Sequence, residues 1–147
     1  MAELKGFHNI AGAFGTFHFN NIPVFEVKNV SAKVTVERAD VPVEGGDVDS
    51  KMTMRKGEIT FTVSYIADRG MKELLAAYNA GRDVRCTASI ALNDPDAIRG
   101  QRERVNIANI WLNDIVMIAF ARGEALEREY TGGFTPSDAS YAETITV

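Results

Sequence analysis

His8, His18, Asp47, Asp49, Cys86 and the cluster Arg99, Arg102 and Arg104 are the side chains of this sequence whose types could carry chemistry. Two histidines joined by an acid could hold zinc, which takes nitrogen and carboxylate donors in a tetrahedral set. Here His8 lies on a leading arm and His18 inside an alternating stretch, with no acid at ligand spacing. GGDVDSKMT offers Asp47 and Asp49 to a hard cation, but the ligand order of a calcium loop and its closing glutamate are missing. Cys86 falls on the apolar side of a strand pattern, between Val84 and Ala88, where a buried small hydrophobe is expected instead of a nucleophile. GAFG lacks the lysine of a phosphate loop, and NDPDAIRGQRER reads as a polar loop with a turn at Asp94-Pro95. Its arginines are offset by Asp94, Asp96 and Glu103, which implies a solvated loop and not an anion site. No catalytic residue, no metal site and no cofactor is expected.

The composition agrees with that negative. A chain of 147 residues suits one domain, able to bury about 68 to 70% of its unfolded surface. Hydrophobic residues make up 46% and charged residues 24%, so neither disorder nor a fibre is implied. A net charge of −4 with interspersed signs lacks the concentrated basic face that gripping nucleic acid requires. Glu3, Lys5 and His8 interrupt the start where an export signal needs an apolar core. The longest apolar run, residues 115–121, is far short of the roughly 20 residues that span a bilayer. These features describe a soluble intracellular protein without membrane binding, and the single cysteine excludes an internal disulfide.

The elements that must position any functional surface are mostly strands. Val30, Ala32, Val34 and Val36 alternate with polar residues; so do Ile59, Phe61, Val63 and Tyr65, and Val84, Cys86, Ala88 and Ile90. Phe17 and Phe19 around His18 add another strand. Three consecutive antiparallel strands are expected at about 105–112, 115–122 and 125–135, the middle one apolar on both faces and therefore buried between layers. Met71, Leu74, Leu75 and Tyr78 form a helical stripe over 69–80, with Asp68 suited to the N-cap and Gly81 to the left-handed position past the end. One amphipathic helix among many strands gives an α+β, mainly β domain.

Residues 38–57 form an unusually long connection between two strands. Val41, Val43, Val48, Met52 and Met54 make it too apolar for a solvated linker, and loops of this length usually have a task. Apolar surface without catalytic groups points to assembly. Open sheet edges point the same way, since copies can pair edge to edge and close a ring. On the last strand Leu126, Arg128 and Tyr130 share one face; Glu127 and Glu129 share the other, either lining a lumen or facing outward into solvent.

The segments RGQRERVNIANIWLNDIVMIAFARGEALEREYTGGFTPSDASYAETI, GMKELLAAYNAGRDVRCTASI and VSAKVTVERADVPVEGG resemble the tail tube proteins of contractile-tailed bacteriophages and related prophage and tailocin particles. The resemblance implies two near-orthogonally packed antiparallel sheets in a β-barrel or sandwich, with one flanking helix and a long β-hairpin loop. It implies a single tail-tube domain over 1–147, with an N-terminal arm at 1–12 and a C-terminal tail at 136–147 that reach neighbours. It further implies hexameric rings stacked into a hollow tube in the virion, assembled in the bacterial host cytoplasm, with DNA in transit through the lumen. The implied partners are further copies of the chain, the tail sheath protein, the tape-measure protein and the baseplate or tail initiator proteins. The same fold would serve a type VI secretion tube or a bacteriocin-like particle. From the residues alone, a monomeric β-barrel holding a small apolar ligand stays open as an alternative.

Overall fold

The period-two stretches all fold as strands of one antiparallel sheet. The structure is a computed structural model and describes residues 5–24, 26–68 and 70–146. In chain order the elements are β1 Gly15–Phe19, β2 Ile22–Pro23, β3 Val27–Pro42, β4 Val48–Ser64, α1 Met71–Asn79, β5 Cys86–Leu92, β6 Glu103–Leu112, β7 Glu127–Phe134 and β8 Ala139–Glu143. The strand order is β2-β1-β5-β6-β7-β4-β3, with β8 also paired to β6.

The expectation of two separate sheets gives way to one sheet of eight strands that is not closed. The sheet nevertheless folds onto itself. β1 and β4 are not neighbours in the strand order, yet Phe17 and Phe19 lie 5.1 and 5.4 Å from the ring of Phe61, and Phe61 lies 5.3 Å from Tyr130. These aromatics, with Ile59, Ile107 and Ile110, form the buried core. β6 is the shared strand. Its first part pairs with β5 and β8, while Trp111 and Leu112 at its end pair with Gly133 and Gly132 of β7.

Those two glycines permit the crossing. A Cβ on Gly132 would stand 2.2 Å from the Trp111 carbonyl oxygen, and one on Gly133 would stand 2.6 Å from the Trp111 indole. A side chain on either would push β7 off β6 and part the two arms of the sheet.

Local chemistry explains the turns. β1 and β2 meet through Asn20 and Asn21, whose φ values of 52° and 64° suit a tight turn that asparagine tolerates. The Asn20 side chain then accepts the Thr87 N–H at 3.0 Å and the Asn20 N–H donates to the Thr87 carbonyl at 2.8 Å, satisfying the β5 residue that faces the bulge of β6, where Asn109 has a φ of 55°. The helix is framed as its sequence implies. Asp68 accepts the N–H groups of Met71 and Lys72 at 3.1 and 3.4 Å, although Gly70 holds the formal cap position. At the other end Gly81 is left-handed, and its N–H and that of Arg82 reach back to Tyr78 and Ala77, the double bond of a Schellman ending. Residue 69, at the expected start, lies outside the described residues.

Three sequence expectations change. Residues 38–57 are not a loop, because β3 runs to Pro42 and β4 starts at Val48, leaving a turn at 43–47. Residues 115–122 are not a strand. The Asp114 carboxylate accepts the Thr131 N–H, and Arg128 donates to the carbonyls of Val116 and Met117. Asp114 thereby takes the place of a backbone acceptor at Thr131, and the Arg128 side chain, not a strand ladder, joins residues 116 and 117 to β7. The expected C-terminal tail at 136–147 is, over its described residues 136–146, tied to its own subunit, since β8 lies along β6 and Gln101 holds Thr146 through both amide atoms at 2.8 and 3.0 Å.

Replacing Gly132 by alanine is expected to lower stability by about 1 to 3 kcal/mol through overpacking against backbone. Gly6→Ala, with open space around it, should leave the denaturation midpoint unchanged in the same urea titration.

Candidate functional site: apolar surfaces and a polar sheet face

The residues with chemical side chains are not brought together. His8 accepts the Lys5 N–H through Nδ1 at 3.0 Å in the leading arm. His18 lies instead beside Arg104 and Asn106 on an open concave face of the sheet. Asp47 and Asp49 stand in solvent at the tip of the β3–β4 hairpin. Among the described residues no group of histidine, cysteine and acid could hold a metal ion. Arg102 and Arg104 are offset by Glu143 of β8, at 2.8 and 4.0 Å, and not by Asp94, Asp96 or Glu103 as sequence proximity implied. Asp94 is instead buried, accepting the N–H groups of Ala11 and Asp96 at 2.9 Å each. It thereby ties the leading arm to the loop after β5.

Cys86 is buried in the core, and burial pushes its thiol above its ordinary pKa. The reactive thiolate is therefore disfavoured at neutral pH. Tyr78 is shifted upward for the same reason, and its hydroxyl donates to the Val84 carbonyl at 3.2 Å. Both groups pack the helix and β5 together.

What the fold does assemble is surface. β7 pairs with β4 only from Gly57 to Ser64. Beyond Gly57 the hairpin has no third strand. At about 3.3 Å per residue, the arm from Gly57 to Val48 reaches about 30 Å past the body. All five apolar residues expected to matter there are exposed: Val41, Val43, Val48, Met52 and Met54, with Val48 at 65% and Met54 at 62%. Val34 and Val36 are exposed nearer the body; by register they share a face with Met52 and Val48, while Val41 and Met54 lie on the other.

A second apolar surface escaped the sequence reading. Met117, Ile118 and Phe120 are 73, 78 and 70% exposed. Being apolar on both sides, the run 115–121 matched a buried strand equally well, and periodicity cannot tell the two cases apart. Its root is fixed by Arg128, whose guanidinium sits 3.7 Å from the centroid of the Tyr65 ring and donates to the carbonyls of Val116 and Met117.

The third surface is polar. Across β3, β4 and β7, Ser31, Thr60 and Thr131 lie in register, as do Asn29, Thr62 and Glu129. Glu127 and Glu129 both stand exposed on this face while Tyr130 is buried on the opposite one. Glu127 is ion-paired with Lys28, and Lys33 approaches Glu58 at 3.9 Å. The face is rich in hydroxyls and nearly balanced in charge.

An open sheet, a long unsupported hairpin and no assembled chemical group are the properties of an assembly subunit. The phage tail tube protein family matches residues 2–140. The chain belongs to that family. As a tail tube protein it is a structural subunit and not an enzyme. A search of curated proteins finds no sequence match.

Solved structures share the fold of this tail tube protein. The anti-feeding prophage tube-terminating cap aligns with a TM-score of 0.72 at 11% identity, covering 97% of each chain. A chain of the sheath-tube complex of an extracellular contractile injection system, PVC, in the extended state, aligns at 0.68 with 11% identity and 93% of each chain. Hcp1 from Flavobacterium johnsoniae aligns at 0.56 with 14% identity, over 90% of this chain and 99% of that one. Among the described residues no helix is long and apolar enough to cross a membrane.

Two outcomes follow. Cys86 in the native protein should react with a thiol reagent at least about tenfold more slowly than after unfolding, and raising the pH from 7 to 8.5 should recover little of the difference. Arg128→Ala should leave the fold intact and expose residues 115–121 to limited proteolysis, read by mass spectrometry of the first fragments.

Proposed function

We propose that copies of this tail tube protein close into hexameric rings and that the rings stack into the hollow tube of a contractile particle. The observation that carries the reading is the β3–β4 arm, which leaves the body with unpaired edges and exposed valine and methionine side chains. An isolated two-stranded hairpin is marginal in water. A neighbouring copy supplies the missing strand contacts and covers these apolar side chains.

In this reading the two arms of the sheet cross near-orthogonally, as corners made by bent strands do. The polar face of β3, β4 and β7 lines the lumen, with Glu127 and Glu129 among its residues. A conduit for DNA must be hydrated and must not hold phosphate. Hydroxyl side chains with paired charges meet both needs, and the Lys28–Glu127 pair leaves Glu129 as the more effective repelling group. The sheath, baseplate or initiator and tape-measure proteins are the further partners, with the virion or particle tail as the location. The contractile setting is supported by the likeness to a PVC sheath-tube chain.

The monomeric ligand-binding alternative has one feature in its favour, an apolar concavity of about 530 Å³ lined by Val30, Ile90, Val105, Phe134 and Tyr141; the cavity beside Phe19, Val24, Phe61 and Met71 measures about 20 Å³, enough for about one water. The bare β3–β4 arm favours assembly over that reading.

Negative-stain microscopy of concentrated protein, with light scattering, should reveal rings or tubes; compact 16.1 kDa particles alone would defeat the proposal. Glu127→Lys with Glu129→Lys should slow genome ejection while tube length stays normal, and ejection at the ordinary rate would remove the lumen assignment. For the arm, excising residues 43–54 would strand Glu37 to Pro42 without partners. Removing 40–50 instead rejoins the paired residues Ala39 and Lys51. That shortened subunit should melt as the full chain does and form no tubes.

A further inference from the structure

A stacked or ringed array built by rotation uses two different surfaces of each copy, one donating and one receiving. The arm is the donor, and its receiver on the next copy has so far no residues. We infer that the tip of the β3–β4 arm of one subunit seats on the platform formed by Met117, Ile118 and Phe120, beside the start of α1, on the next. The inference rests on the proposed tube reading and names the site that reading requires.

Three features of the molecule fit tip to platform. Both surfaces are apolar and left bare by the subunit itself, with Val43 and Val48 at 44 and 65% exposure and the three platform residues at 70% or more. Burying such side chains removes about 25 cal/mol per Å² of cost from water contact. Their charges are also complementary. The tip carries Asp40, Glu44, Asp47 and Asp49, and none of these pairs with a cation of its own subunit among the described residues. The concavity between α1 and residues 115–117 is lined by Lys72 and Arg128, and Asp68, the carboxylate beside them, is occupied by helix N–H groups. Asp114, whose carboxylate is engaged by the Thr131 N–H, and Glu73 and Glu124, close by in the chain, do not line it.

Reach and rigidity complete the argument. The arm extends about 30 Å from the body, far enough to leave its own subunit. The platform is held at its root by Asp114 on Thr131 and by Arg128 on the carbonyls of Val116 and Met117. A root tied to the body limits how far the exposed run can move, which lowers the ordering cost of a contact.

The test uses two full-length variants, one with a spoiled tip (Val43→Asp with Val48→Asp) and one with a spoiled platform (Ile118→Asp with Phe120→Asp). All four positions are exposed, so each variant should melt as the unaltered chain does. Each alone should stop at single rings or smaller species under conditions where the unaltered chain makes tubes. Mixed, they retain one good tip and one good platform between them, so they should form objects two layers deep that do not lengthen, seen by microscopy and sedimentation. Adding Lys72→Glu to the spoiled-tip variant should weaken that mixed complex at least about tenfold. Tubes of ordinary length from the spoiled-platform variant would overturn the inference and leave the platform to another protein, such as a sheath subunit. Absence of any complex on mixing two folded variants would overturn it equally. Failure of the unaltered chain to form rings or tubes would instead strike the proposed function itself.

Discussion

Beyond Gly57 each strand of the β3–β4 arm has a ladder partner on one side only, and its residues are exposed, with Val34 and Arg55 at its root sharing a concavity with Pro136 and Tyr141. Unpaired strand edges and bare valines are unfavourable in water for a monomer and favourable between copies. That unmet requirement accounts for the architecture. The body supplies a rigid mount, and the arm, left without a third strand, is the surface that the proposed assembly would cover.

The mount is stiff for specific reasons. Aromatic rings from β1, β4 and β7 pack in tilted pairs with centroids 5.1 to 5.4 Å apart, which fixes one arm of the sheet over the other. Gly132 and Gly133 let β7 pass between β4 and β6 at a spacing no other residue allows. The helix packs Met71, Leu74 and Ala77 inward and is tied at both ends. Loads carried along a tube need this kind of core, because close-packed interiors transmit strain instead of absorbing it. At the margins, single side chains anchor the termini: Asp94 holds the leading arm at Ala11, and Gln101 holds Thr146.

The contrast between faces divides the work of one sheet. One face of β4 and β7 buries Ile59, Phe61 and Tyr130, while the other presents threonine, serine and paired charge. Alternation with a period of two makes both faces from one stretch of chain. The wetted wall of the proposed tube therefore needs no separate element.

Alternation and the helical stripe made the strand and helix positions legible without coordinates, since each depends on the spacing of neighbouring residues. The sequence also pointed to the apolar character of 38–57 and to the absence of a catalytic set. It could not decide the run 115–121, because a residue pattern apolar on both sides fits a buried strand and an exposed platform alike. Nor could it foresee that 38–57 continues two strands. Polar and apolar residues mix there because neither face of the arm meets a core. The return of 139–143 onto β6 was likewise hidden, as Ala139–Glu143 has little pattern of its own and takes its place from β6 and from the Arg102–Glu143 pair. Local spacing fixed the elements; which edges stayed open, and which apolar side chains were left in water, depended on contacts between residues far apart in the chain, and only the folded sheet decides those.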